Sequence, residues 1–304
     1  MIRTRWTAVQ VLSLATALAL PLSGCYAELE GEAFGEGSVE GETETHAERH
    51  YGAAETVSIE YTAGMDVRIE SHLGNVRVVR GSSNAQVAVT FEPFITETEL
   101  DDAAADAQIE QELDMTVEAD GAIVITAARE ASASAQIGAD IVVELPVGFS
   151  GDFQVDQVDG AVDVDLRGAS PTSTSIETTG RGDVRVTGAA GELAVETAIG
   201  NVSIEVTSWS SEHGYVHVNE SGNISIDIAA SANGSISVAA QGGVITEPST
   251  MPAGWSKSDD CDETSGTYYF GDATGGMVDV WTHSGSVTLG VKAEASARGS
   301  FGLR

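Results

Sequence analysis

Leu193-Ala194-Val195, then Gly200-Asn201, then Val202-Ser203-Ile204: an apolar alternation, a glycine turn and a second alternation make one phrase. The chain repeats that phrase. It stands at Val67-Arg68-Ile69, Gly74 and Val76-Arg77-Val78, and at Ile176, Gly182 and Val184-Arg185-Val186. Further copies are Val216-His217-Val218, Gly222 and Ile224-Ser225-Ile226, and Val278-Asp279-Val280, Gly285 and Val287-Thr288-Leu289. Alternation of period two is the mark of a strand with one buried face, and glycine bends the chain where positive φ is needed.

From Phe153 onward the copies are regular. The apolar residues closing each first strand, Val155, Ile176, Val195, Val218 and Val238, stand 21, 19, 23 and 20 residues apart, and Val280 follows 42 residues later. A repeat of this length with two short strands is one coil of a solenoid, which buries its apolar face only by stacking on its neighbours. The expectation is an all-β chain, a parallel β-helix or β-solenoid with coils of about 20 residues and one helical excursion near 97–114. Val184, Val186, Val202, Ile204, Ile224, Ile226, Val287 and Leu289 should point inward. A β-sandwich is the rival, and it gives no reason for anchors that return with the same grammar.

The flanks divide the rest. Residues 1–24 read as an export signal, with Arg3 and Arg5 ahead of an apolar Val9–Leu22 too short for a span of about 20 residues. The signal ends in Leu22-Ser23-Gly24-Cys25, which resembles the lipobox of bacterial lipoproteins. That resemblance implies cleavage before Cys25 and lipid on it, and Tyr26 after it points to the outer membrane or cell surface. Residues 25–50, rich in Glu and Gly, read as an acidic disordered tether. Residues 51–150 hold an N-terminal β region, in which Thr96 and Glu99 have capping-box spacing ahead of a helical Leu100–Leu113. Residues 151–292 are the solenoid, with an irregular insertion at 247–276, and 293–304 form a tail.

The N-terminal strands, the acidic helical excursion, the phrase Val142-Val143-Glu144-Leu145-Pro146-Val147-Gly148 and the blocks Gly182-Asp183-Val184, Gly200-Asn201-Val202 and Gly222-Asn223-Ile224 together resemble the bacterial putative adhesin family, over roughly residues 55–292. The resemblance implies a β-helical protein of the cell envelope with an adhesive, binding or structural role. The insertion departs from the family rhythm.

A formal charge of −33, with Lys257 and Lys292 the only lysines, excludes nucleic acid and anionic headgroups as partners. The expected partners are the membrane through the N-terminal lipid, and a surface glycan or an envelope protein. No nucleophile elbow, CxxC, Walker loop, HExxH or EF-hand loop appears, so no catalytic residue is assigned and no cofactor is expected. A polysaccharide-active β-helix enzyme is the catalytic alternative, and a sensor acting through a partner protein is a third. With Cys25 lipidated, Cys261 is a leftover thiol, incidental or paired between molecules.

Two groups of side chains stand out. Asp156, Glu177 and Glu196 each follow an anchor and should form a row on the outer face at the strand spacing of about 4.8 Å, with Asn219 next. Such a row is either a solvated acidic face or a Ca²⁺ site built of hard oxygens. Trp255, Tyr268, Tyr269 and Phe270 gather aromatics in a chain poor in them. They form either a ligand surface for sugar or protein or a cap packed over the solenoid.

Overall fold

Val184, Val186, Val202, Ile204, Ile224, Ile226, Val287 and Leu289, the residues whose alternation turns them inward, are each at most 1% exposed. The computed structural model describes residues 49–292, apart from 97–99, 131–132, 134–135, 208–212 and 273–274. The export signal, Cys25, nearly all of the acidic tether and the tail lie outside the described residues.

Five strands come first: β1 (His50–Tyr51), β2 (Glu55–Glu60), β3 (Asp66–Leu73), β4 (Val76–Arg80) and β5 (Gln86–Ile95). The helix α1 (Asp102–Glu112) follows, then β6 (Leu113–Ala119), β7 (Ala122–Arg129) and β8 (Ile137–Leu145). The regular repeats supply β9 (Phe153–Asp159), β10 (Val162–Asp165), β11 (Ser173–Arg181), β12 (Val184–Ala189), β13 (Glu192–Ile199) and β14 (Val202–Val206). They continue with β15 (His213–Ser221), β16 (Ile224–Ala229), β17 (Gly234–Ala240) and β18 (Ile245–Thr246). The insertion forms β19 (Trp255–Lys257) and β20 (Ser265–Phe270), and β21 (Met277–Thr282) and β22 (Val287–Lys292) end the described chain.

Two eleven-stranded sheets result. One runs β1-β5-β8-β4-β10-β12-β14-β16-β22-β18, with β2 also on β5; the other runs β19-β20-β17-β21-β15-β13-β11-β9-β3-β7-β6. The two strands of each repeat go to different sheets, and repeats pair in parallel: Ile176 stands opposite both Val155 and Val195, and Val202 opposite Val184 and Ile224. The core lies between the sheets, running from Phe91, Phe149 and Phe153 through the valines and isoleucines of the repeats to Tyr268 and Phe270.

The order of stacking is not the order of the sequence. β21 lies between β15 and β17, and β22 between β16 and β18, so the last repeat is wedged one place in from the end. At the other end β3 and β4 are likewise wedged, between β9 and β7 and between β10 and β8. Antiparallel strands close three of the four sheet ends: β5 on β8, β6 on β7, and β20 on β17. The fourth edge, β18, is two residues long, too short to template another chain.

Two ladders tie the coils at one corner. A Cβ on Gly182, Gly200, Gly222 or Gly285 would collide with the carbonyl of Gly160, Gly182, Gly200 or Gly222 respectively, the glycine of the coil beneath. The residue after each glycine then hands a side-chain oxygen to the next coil's backbone. Asp183 Oδ1 accepts from Asn201 N (2.7 Å), Asn201 Oδ1 from Asn223 N (3.1 Å), and Asn223 Oδ1 from Ser286 N (2.9 Å). Ser286 Oγ accepts from Val244 N at 3.2 Å, so the ladder follows the wedged order. This is the physical content of the Gly-Asn/Asp-Val/Ile blocks.

Three expectations are corrected. Val195 stands opposite Val216, not Val218, because both valines point inward and period-two patterning cannot separate registers two residues apart. The helix is capped by Asp101, whose carboxylate accepts from Ala104 N at 2.9 Å, while Thr96 bonds Gln136 instead. The doubled step of 42 residues to Val280 implies a turn replaced or distorted by the insertion; the insertion instead supplies the antiparallel strands β19 and β20.

Candidate ligand-binding face

The corrected register rebuilds the acidic row. On the outer face of the second sheet Glu70, Asp156, Glu177, Glu196, His217 and Trp281 stand in consecutive register. His217 therefore takes the place expected of Asn219, which reaches sideways to give Nδ2 to Glu196 Oε1 at 2.6 Å. Arg68 serves the far end, with Nη2 at 2.8 Å from Asp156 and Nε at 2.9 Å from Glu70. The carboxylates Asp156, Glu177 and Glu196 thus do line up as expected. Among the described residues, no three His, Cys, Asp or Glu side chains are gathered as a metal ion requires.

The aromatic insertion divides by strand alternation. In β20, Tyr268 and Phe270 face the core and are fully buried, whereas Tyr269 between them is exposed. Trp255 is half-buried and packs on Phe270, ring centroids 4.5 Å apart. Pairing of β20 with β17 turns Tyr268 and Phe270 into the sheet interior, so neither forms a surface that a ligand reaches. The insertion continues the second sheet as its last two strands.

Tyr268 also carries a polar contact. Its phenol donates to Glu247 Oε1 at 3.0 Å, and Lys257 Nζ meets the same oxygen at 2.9 Å. Burial first, and then the Glu247 carboxylate, push the phenol's pKa up from 10.0. A group raised on folding lends stability that is full below its unfolded pKa and is lost as pH climbs through the folded one. The urea midpoint should therefore fall as pH rises above about 10, and Tyr268→Phe should make that fall shallower. An unchanged slope in the variant rules Tyr268 out as the cause. Cys261, half-buried, lies with Sγ 3.3 Å from Ser258 Oγ, and no other described residue is a cysteine.

The wedge creates what the sequence did not announce. By bringing β21 beside β15, it sets Trp281 opposite His217 and Asp279 opposite Tyr215. The rings form a chain: Tyr215 to His217 at 4.9 Å, His217 to Trp281 at 6.0 Å and edge-on, Trp281 to His283 at 6.0 Å. Asp279 Oδ2 lies 3.5 Å from His217 Nε2. Tyr215 is exposed, and its phenol is pushed up by burial first, then by Glu196 and Glu177. Beside Tyr215, across β13 and β11, stand only Ala194 and Ser175; beyond Asp279 and Trp281, on β17, stand Ser237 and Ala239. Aromatic rings and carboxylates thus rise from a floor of small residues on an open sheet face. Of this face the sequence marked Glu177 and Glu196; nothing there placed Tyr215, His217 and Trp281 together.

No protein-family model matches the chain, and no curated protein does. Solved structures that it resembles include a putative cell adhesion protein from Clostridium sporogenes, at 12% identity over 79% of this chain and 100% of that one, with a TM-score of 0.43. A putative adhesin from Bacteroides fragilis matches at 10% identity over 78% and 97%, with a TM-score of 0.32. One from Parabacteroides distasonis matches at 10% over 79% and 98%, with a TM-score of 0.30. Likeness this remote assigns no role to any residue.

Proposed function

We propose that the protein is a lipid-anchored β-solenoid of the bacterial envelope, held at the outer membrane or cell surface, that acts by adhesive binding and not by catalysis. The observation that carries this reading is the open face built by Tyr215, His217 and Trp281 beside Glu177, Glu196 and Asp279. An exposed tyrosine beside half-buried His217 and Trp281, set among polar groups, is the chemistry of recognition. A glycoside hydrolase needs two carboxylates facing each other across a cleft about 5–10 Å wide. The acids of this face instead stand side by side along one sheet. The in-register parallel repeats support the solenoid reading. The sequence Leu22-Ser23-Gly24-Cys25 supports the anchor, because several acyl chains hold a protein to a membrane stably where one does not.

The test is made on cells. Cells producing the full chain should take radiolabelled palmitate into it and adhere to immobilised envelope material. Cys25→Ala should abolish the label and the anchoring. Tyr215→Ala with Trp281→Ala should abolish adhesion while the melting temperature stays within a few degrees. Adhesion that survives the double variant sinks the assignment to this face.

A further inference from the structure

The carboxylates of this face lack the cations that usually accompany them. Among the described residues no lysine or arginine pairs with Glu177, Glu196 or Asp279; Arg68 is taken by Glu70 and Asp156. The chain offers 14 Lys and Arg against 47 Asp and Glu, so little basic surface is available elsewhere to neutralise the row. A neutral ligand laid over these acids would strip water from charges and return nothing, which is costly. A cationic ligand would neutralise them and set its charge against the electron-rich ring faces.

Resting on the reading of this face as the binding surface, we propose that its occupant is a lysine-rich extended segment of a partner protein. Its ammonium groups would be held between the Tyr215 and Trp281 rings and the Glu177, Glu196 and Asp279 carboxylates. The geometry favours a chain over a single small cation. Glu70, Asp156, Glu177, Glu196, His217 and Trp281 stand in consecutive register, a track about 24 Å long at the usual strand spacing. Ala194 and Ser175 leave the track low on one side of Tyr215, and Ser237 and Ala239 leave it low beyond Asp279. An extended segment lying across the strands can place a lysine every second residue, about 6.8 Å apart, along such a track. Asn219 holds Glu196 in place through its 2.6 Å hydrogen bond. An acidic partner or a second copy of this −33 chain is repelled.

The experiment is calorimetric titration of the purified full chain with three probes: a peptide of alternating lysine and serine, spermidine, and a neutral oligosaccharide. The peptide should bind, weaken steeply as salt rises, and lose at least about tenfold in affinity in Tyr215→Ala and in the pair Glu177→Gln, Glu196→Gln. Asp114→Asn with Glu118→Gln, which removes the same charge from strand β6, four strands along the same sheet from Glu177, should leave binding within about twofold. Equal loss in that control overturns the proposal, since binding would then be diffuse attraction. Spermidine binding as tightly as the peptide overturns the choice of a protein segment. Sugar binding that needs Trp281, without peptide binding, overturns the ligand class and leaves the face standing. Binding of none of the three removes both the class and the face.

Discussion

Gly160→Ala is expected to cost about 4 kcal/mol or more, at the extreme of single substitutions. Gly160 has φ of +134°, and the space a Cβ would fill is held by the carbonyl oxygen of Gly74 in the coil beneath. That oxygen cannot retreat. It accepts from Gln157 Nε2 at 2.6 Å, and the Gly74 N–H is itself bonded to Asp159 O at 3.1 Å. The comparison that isolates the clash is Gly121→Ala, in the turn between β6 and β7. There φ is +78° but the Cβ would meet open space, so only the backbone strain of about 1–2 kcal/mol should be lost. Asn201→Ala should fall near the lower of these values, about 1–3 kcal/mol, because it strips one acceptor from the Asn223 N–H. Urea unfolding of the three variants should rank them Gly160, then the other two. Equal losses at Gly160 and Gly121 would mean that the coils can part at this corner, against the stacking described.

Much of this architecture was legible because the repeat carries its own physics. Alternation told which side of each strand is buried, and the eight residues named for the interior are all there. Glycine followed by Asn or Asp marked the corner, although its reason, a carbonyl stacked where a side chain would be, is visible only once coils are piled. Position within the stack was not legible. Each repeat offers the same edges, so periodicity tells that a strand pair exists and not where it docks. What limits docking is which edges the irregular segments occupy. β20 takes one edge of β17 in antiparallel pairing, so β21 takes the other and lies inside. β5 and β6 do the same to β8 and β7, and β3 and β4 lie inside in turn.

The candidate face was half legible for the same reason. The carboxylates were found by counting from anchors, and the count survived from Asp156 to Glu196. It failed at the next strand, where Val216 and Val218 are equally apolar, and so exchanged His217 for Asn219. The count reaches Trp281, directly after the anchor Val280, but not its neighbour His217, which is fixed by the wedge. The aromatic insertion misled in the opposite sense. Composition gathered Trp255, Tyr268, Tyr269 and Phe270, but alternation inside β20 sends Tyr268 and Phe270 to the core and leaves Tyr269 outside.

Ending the chain at residue 276 should be as damaging as any internal change, and it tests the wedge directly. The deletion removes β21 and β22, and with them Val278, Val280, Val287 and Leu289, each at most 2% exposed. At about 1.5–3 kcal/mol per buried aliphatic side chain, roughly 6–12 kcal/mol of burial goes, comparable with the whole stability of a domain. Four strands also lose a backbone partner: β15 and β17 in one sheet, β16 and β18 in the other. If the last repeat merely capped the end, its loss would expose one new edge and leave the remaining coils in contact. Because it is wedged, its loss should separate the coil of β17 and β18 from the stack. Thermal melting should then drop by at least about 12 °C, and proteolysis should release residues 234–272, which lose β21 and β22, ahead of β15 and β16, which keep β13 and β14. A truncated chain that keeps its melting temperature would show the outer coil closing onto β15 and β16. That outcome would make the order of stacking a preference of the links, with no consequence for stability.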